Sequence, residues 1–287
     1  NIIHNDLHYE NIIIKNNNNK PIIIDFGLSY HINDIFYKNN INLKYLKLFF
    51  MDFREDTYNQ NLEKRFICFI TYNKTPNHNI NLKTKFQENN LTKRDIDYFI
   101  HDAISTFKIN QEINLFFTNK ELDYYKTSLE KIYYKYLDKK KFKYYSDIIN
   151  ELLPFVFKFE DLYKLSINYL LIYYFKQDLI DSNNNLQLIL NLFIQIIKKV
   201  FHPDPSMRFN FHQINLLIKF IIKTINTIDI HDNTDKTITF YNELNNFITI
   251  KKLPKNIIFQ KDFAFIDFNS VLNESVINFI KKSNIKI

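Results

Sequence analysis

One glycine, Gly27, serves a chain of 287 residues that also carries 29 Phe and 19 Tyr. Glycine is avoided everywhere else, so its retention there argues for a backbone position that needs unusual torsion angles or a close approach. The same composition excludes collagen-like and glycine-based fibrous structures. A chain this rich in Phe, Ile and Leu is not intrinsically disordered. At 46% hydrophobic it holds enough apolar material for one large domain or two small ones.

The charge balance is +7, from 38 Lys plus Arg against 31 Asp plus Glu. The excess is almost all Lys, dispersed among Asn, Ile and Tyr, with Arg only at Arg54, Arg65, Arg94 and Arg208. The densest basic stretch, Lys139-Lys140-Lys141-Phe142-Lys143-Tyr144, reads as a solvated helix end or loop, so specific nucleic-acid binding is not expected. The single Cys68 cannot form an internal disulfide or a Cys-rich zinc site; it reads as a buried small hydrophobe. A reducing, cytoplasmic setting is therefore expected. The best apolar run, Leu165 to Phe175, is too short for a membrane span and reads as a buried helix. No leader precedes the first motif, and the abrupt start on Asn1 suggests a fragment.

Two β-branched runs open the chain: Asn11 to Lys15, and Pro21 to Ile24. The polar tract Asn16 to Asn19 between them suits a hairpin. From about Asn33 helical spacing dominates. The sequence predicts a helix from Leu91-Thr92-Lys93 to about Phe107, and another after the capping box Thr118-Asn119-Lys120-Glu121, running to about Leu137. Further helices are predicted over Phe159 to Phe175, Leu186 to Val200 and Phe211 to Thr227. In the tail, Phe240 to Ile248 and Ser275 to Lys282 look helical and Phe263 to Phe268 extended. The stripe Tyr124, Tyr125, Tyr133, Tyr134 and Tyr136 reads as helix packing.

Two polar clusters flank the hairpin: His4-Asn5-Asp6-Leu7-His8-Tyr9-Glu10-Asn11 and Asp25-Phe26-Gly27. An Asp on a loop, an Asn five residues on at a strand start, and a second Asp after the return strand can converge on one pocket. Phosphoryl transfer needs that set. One carboxylate accepts the proton of the attacking hydroxyl, while an amide oxygen and a second carboxylate hold Mg²⁺ against nucleotide phosphates. The bland alternative is a set of turn residues, since Asp, Asn and Gly are favoured in turns. The remaining histidines, His31, His78, His101, His202, His212 and His231, show no metal-ligand spacing.

His4-x-Asp6-Leu7-x-x-x-Asn11 followed by Asp25-Phe26-Gly27 resembles the catalytic and metal-binding loops of the protein kinase superfamily. The resemblance implies Asp6 as catalytic base, Asn11 and Asp25 as Mg²⁺ ligands, His4 as a scaffold residue, and Phe26 packed in an apolar spine. Asp161-Leu162-Tyr163-Lys164-Leu165-Ser166, at the head of an apolar helix, is similar to the family's central buried helix, whose Asp caps the catalytic-loop backbone. The plain alternative for Asp161 is a helix N-cap. His202-Pro203-Asp204-Pro205-Ser206-Met207-Arg208 resembles the turn before the last family helices. Arg208 would there pair with Glu63, which stands where the activation segment would close; otherwise it is a surface Arg.

The resemblance thus implies a mostly α fold: a kinase-like C-lobe over residues 1–227, carrying a short β-hairpin and a helical insertion over 64–158. A C-terminal extension of unassigned role would occupy 228–287, and the ATP-gripping N-lobe is expected upstream. The implied activity is transfer of the γ-phosphate of Mg·ATP to a protein Ser or Thr hydroxyl, the fragment alone being inactive. In composition, insertion and motif style the chain resembles kinases of large cytoplasmic DNA viruses, which implies a host-cytoplasm or virion location. Asn5 stands where regulated kinases carry an Arg that grips a phosphorylated loop. His8 stands where Ser/Thr kinases carry Lys, and is placed to assist at the phosphate. His8 also fits a small-molecule phosphotransferase of the aminoglycoside or choline kinase type. A pseudokinase or partner-binding module is the non-enzymatic alternative.

Overall fold

Antiparallel pairing of β-branched runs starts the structure. In this computed structural model, described over residues 2–15, 20–37, 40–41, 60–73, 88–109, 116–175, 194, 196–211, 214–215, 218, 259–260 and 263–264, the chain is mostly helical with small two-stranded sheets. Strand β1 (Ile2–Ile3) pairs with β4 (Tyr30–His31), and between them β2 (Ile12–Lys15) pairs with β3 (Lys20–Ile23). The register sets Ile12 opposite Ile23 and Ile3 opposite Tyr30. Both polar clusters are therefore enclosed between the outer and inner strand pairs. Past this point the structure departs from the helical spacing: a four-residue α1 (Ile32–Ile35) leads into a further hairpin of β5 (Phe36–Tyr37) and β6 (Asn40–Ile41). Short strands of two residues carry too little periodicity to read from sequence.

The chain divides into two compact units, residues 1–172 with 203–205, and residues 173–202 with 206–287. In the first unit, α2 (Leu62–Cys68) continues as a π-helical turn over Phe69–Asn73, where Thr71 Oγ1 donates to the carbonyl of Ile67 at 2.7 Å. Next come α3 (Lys93–Ile109) and α4 (Asn119–Tyr133), each started by a reciprocal cap. Thr118 N–H donates to Glu121 at 2.7 Å while Glu121 N–H donates back to Thr118 Oγ1 at 3.2 Å; Thr92 and Asp95 make the same exchange. A 3₁₀ turn over Tyr134–Leu137 follows, and the Lys139–Lys141 stretch is exposed in a turn.

The longest element is α5 (Tyr145–Phe175), which starts well before Phe159 and runs through Pro154. The C-terminal bound drawn for the insertion falls inside this helix. Pro154 reads as a stop because it cannot bond the carbonyl of Asn150. Burial of Ile148, Ile149, Leu152, Leu153 and Val156 on one face carries the helix past it. Leu165 to Phe175 is its C-terminal third, with Ile167 and Leu170 in the core, and no described helix is long and apolar enough to cross a membrane.

An aromatic core holds the helices: Phe66 packs against Phe99, Tyr133 and Tyr136 at centroid distances of 4.8, 4.6 and 5.5 Å, and Cys68 is buried beside it in α2. Asn89 fixes the connection entering α3. Its Nδ2 donates to the carbonyls of Tyr136 at 2.8 Å and Phe142 at 3.0 Å, and its Oδ1 accepts Leu91 N–H at 3.0 Å.

In the second unit the described parts of the predicted helices, residues 194 and 196–200 and residues 211, 214, 215 and 218, are helical. Phe259–Gln260 (β7) pairs with Phe263–Ala264 (β8). The predicted helices at 240–248 and 275–282 lie outside the described residues.

Burial raises the phenol of Tyr136, with Glu151 and Glu63 nearby, and that of Tyr30, with Glu160 and Asp161 nearby, far above the ordinary 10.0. Their stabilising contribution is complete below pH 10.0 and is lost as pH rises above it, because the unfolded chain then releases protons that the folded chain keeps. The tyrosinate absorbance of the buried rings and the helical circular dichroism should therefore change together in one cooperative step. Gradual ionisation of every tyrosine while the helices persist would count against this core.

Candidate active site

The hairpin register does the first part of the assembly. Ile12 faces Ile23, so Asn11 comes opposite Ile24, whose N–H donates to the Asn11 carbonyl at 2.9 Å. Asp25 is one residue beyond. Asn11 Nδ2 donates to the carbonyl of Asp6 at 2.8 Å and lies 3.4 Å from its Oδ2. Asn11 is buried, and its committed amide nitrogen leaves Oδ1 as the atom able to ligate a cation.

The loop between β1 and β2 is tied to the second cluster and to α5. His4 is buried; its Nε2 lies 2.9 Å from the Ile24 carbonyl, and its own carbonyl accepts Ser29 Oγ at 3.1 Å. Asp161 Oδ2 accepts His4 N–H at 2.9 Å and Oδ1 accepts Asn5 N–H at 3.3 Å. Asn168, two turns on along α5, donates to the Leu7 carbonyl at 3.0 Å. Asp161 lies deep inside α5, not at its start, so it is no helix N-cap: its carboxylate caps loop amides far away in sequence.

Among the described residues two that are not glycine have positive φ, Asn5 at 61° and Asp25 at 55°, one beside Asp6 and the other a candidate metal ligand. Strain of this kind concentrates at functional sites. Gly27 is retained for a different reason than torsion, since it is not at positive φ. Its N–H donates to Asp25 Oδ1 at 3.2 Å, and a Cβ there would come within 3.1 Å of that oxygen. A side chain there would press the Asp25 carboxylate aside by a few tenths of an ångström.

Phe26 sets its ring 4.8 Å from that of His4, yet it is 56% exposed, because the loop holds it at the open end of the hairpin. His8 is half-buried, its Nε2 3.7 Å from Asp6 Oδ2 and its Nδ1 3.7 Å from Glu10. Glu63 is buried in the first turn of α2. Arg208 is buried in the second unit, not on the surface, and its Nε donates to the His202 carbonyl at 2.6 Å. Glu63 and Arg208 belong to different units.

A group that the motifs did not reveal lies beneath the loop. Glu160 Oε1 is 3.2 Å from Lys64 Nζ and 3.5 Å from Lys164 Nζ. Lys64 also donates to Asn5 Oδ1, and Lys164 to the Asn5 carbonyl. The available sequence signal was a Glu and a Lys four apart among the apolar residues of a buried helix face, where charges need partners. Lys64 carried none.

The pair Asn11 and Asp25 suits Mg²⁺, which takes one or two protein oxygens and completes its shell with water and phosphates. Among the described residues no group of three or more His, Cys, Asp or Glu could hold a metal without such help. No family model, curated protein or solved structure matches this chain.

Asp161→Ala removes two hydrogen bonds to a carboxylate, each worth about 1.5–3 kcal/mol. It should lower stability in denaturant titration by at least about 2 kcal/mol and speed amide exchange at His4 and Asn5. A variant with wild-type exchange at those two amides would contradict the capping role.

Proposed function

We propose that this chain is the catalytic lobe of a protein-kinase-like phosphotransferase, moving the γ-phosphoryl group of Mg·ATP onto a protein Ser or Thr hydroxyl. The observation that carries the reading is the capping of the Asp6 loop by Asp161, together with the bond from Asn11 to Asp6. These contacts hold the Asp6 loop against α5, and the bonds from His4 to the Ile24 carbonyl and from Ser29 to the His4 carbonyl tie it to the Asp25 segment, which supports the reading.

In this reading the substrate oxygen attacks phosphorus as its proton passes to Asp6, and the bond from phosphorus to the β-phosphate oxygen breaks to release ADP. Asn11 Oδ1 and the Asp25 carboxylate would hold Mg²⁺, which draws charge from the phosphates during transfer. Gly27 keeps space for the Asp25 carboxylate. His8, between Asp6 and Glu10, is placed to donate to a phosphate oxygen. Ile13, Ile14, Ile22, Ile23, Phe26 and Leu28 form exposed apolar surface on the hairpin and metal loop. An upstream nucleotide-gripping lobe would cover that surface and exclude water from the pocket. A small-molecule alcohol as acceptor is the second reading, favoured by His8 beside Asp6.

The complete protein should transfer labelled γ-phosphate from Mg·ATP. Asp6→Asn should lower kcat about 10²–10⁴-fold by removing the base, and Asp25→Ala should abolish magnesium-dependent transfer. Proteins and small alcohols tested in parallel separate the two readings. Transfer unaffected by Asp6→Asn would falsify the assignment of the base.

A further inference from the structure

Four polar atoms of Asn5 have four partners on different parts of the fold. Its N–H donates to Asp161 Oδ1 at 3.3 Å, its Nδ2 to the Leu28 carbonyl at 3.3 Å, its Oδ1 accepts from Lys64, and its carbonyl accepts from Lys164. Both ammonium groups converge on Glu160, and the side chains of Lys64, Glu160 and Lys164 are only 3%, 0% and 5% exposed. One carboxylate between two buried ammoniums needs further acceptors, and Asn5 supplies one to each lysine. It does so at φ 61°, a conformation that leaves its carbonyl and side chain available to the two lysines together. Asp6 is the next residue.

We propose that Lys64, Glu160 and Lys164 are positioning residues that set the Asp6 carboxylate by clamping the Asn5 peptide. This rests on the phosphotransfer reading of Asp6. A stabilising role alone accounts poorly for the cluster, because a buried ion cluster rarely stabilises more than apolar residues of the same volume would. What the charges supply instead is direction: each lysine fixes a different atom of Asn5. Burial lowers the pKa of Lys164 despite the opposing charges of Glu160, Asp6 and Asp161, and the Lys64 charge lowers it further. Glu160 and Asp161 face it from its own helix, Lys64 from α2 and Asp6 from the loop.

The test uses the complete protein, following kcat, KM for ATP, the pH profile and amide exchange at His4. Lys164→Met should lower kcat about a hundredfold while KM for ATP stays within about twofold, as expected for a misplaced catalytic group. Exchange at His4 should accelerate. Lys164→Arg, always charged, should recover kcat and move the alkaline limb of the profile to higher pH. Asn5→Gly leaves the positive φ unstrained and removes the Lys64 acceptor together with the exposed bond from Nδ2 to the Leu28 carbonyl, while the Lys164 acceptor stays. It should lower kcat by a smaller factor, and it decides the matter if Lys164→Met does not fold. Unchanged kcat and unchanged His4 exchange in the folded variant overturn the proposal. An inactive parent whose His4 exchange still responds to Lys164→Met removes the phosphotransfer reading and keeps the clamp.

Discussion

The Asp161 carboxylate is the contact on which the candidate site depends. The loop between β1 and β2 has no ladder of its own to satisfy its backbone, and a buried amide without an acceptor costs about 1–3 kcal/mol. Asp161 accepts the amides of His4 and Asn5 from inside a 31-residue helix whose apolar face is buried. A carboxylate on such a helix is a fixed reference point, so the loop is referred to the core and not to its neighbours in sequence. Asn168 extends the same reference to Leu7.

Fixing the loop lets the backbone hold conformations that a free chain would leave. Asn5 and Asp25 are both in the left-handed region, at a cost of order 1–3 kcal/mol each. Asn and Asp tolerate that region best among residues with side chains. Asn and Asp therefore stand at these two positions, and the glycine stands where the Asp25 carboxylate comes close. The compensation is local in both cases. Asn5 has four polar partners, and Asp25 accepts the Gly27 amide.

Elements with strong local signals were legible in the sequence. The hairpin followed from β-branched runs around an Asn tract, α3 from the run that begins at Leu91-Thr92-Lys93, and α4 from the capping box at Thr118. That Asn11 reaches Asp6, and that Asp25 follows the strand partner of Asn11, is in keeping with the spacing across a hairpin. The start of α5 was not legible, since Pro154 gives a local stop that only tertiary burial overrides. Asn89 gave no signal because its three bonds join segments distant in sequence. The site of Gly27 was legible, but its reason only as one of two, torsion or close approach, because the contact with Asp25 depends on how the loop folds back. The same holds for Lys64, which is one lysine among many until α2 is placed beside α5.

Charge balance explains how so polar a region is buried at all. Glu160 and Asp161 are adjacent on α5, so they face directions about 100° apart. One serves the ammonium groups of Lys64 and Lys164, the other the loop amides. Two formal negative charges from the helix thus meet two positive charges, and the Asn5 peptide lies among all four groups. A balanced quartet avoids the several kcal/mol that an uncompensated buried charge costs. Removing Glu160 leaves both ammonium groups without their carboxylate, and the Asn5 atoms that accept from them lie next to Asp6. The electrostatic neutrality of the core and the placement of the candidate base are for this reason one constraint.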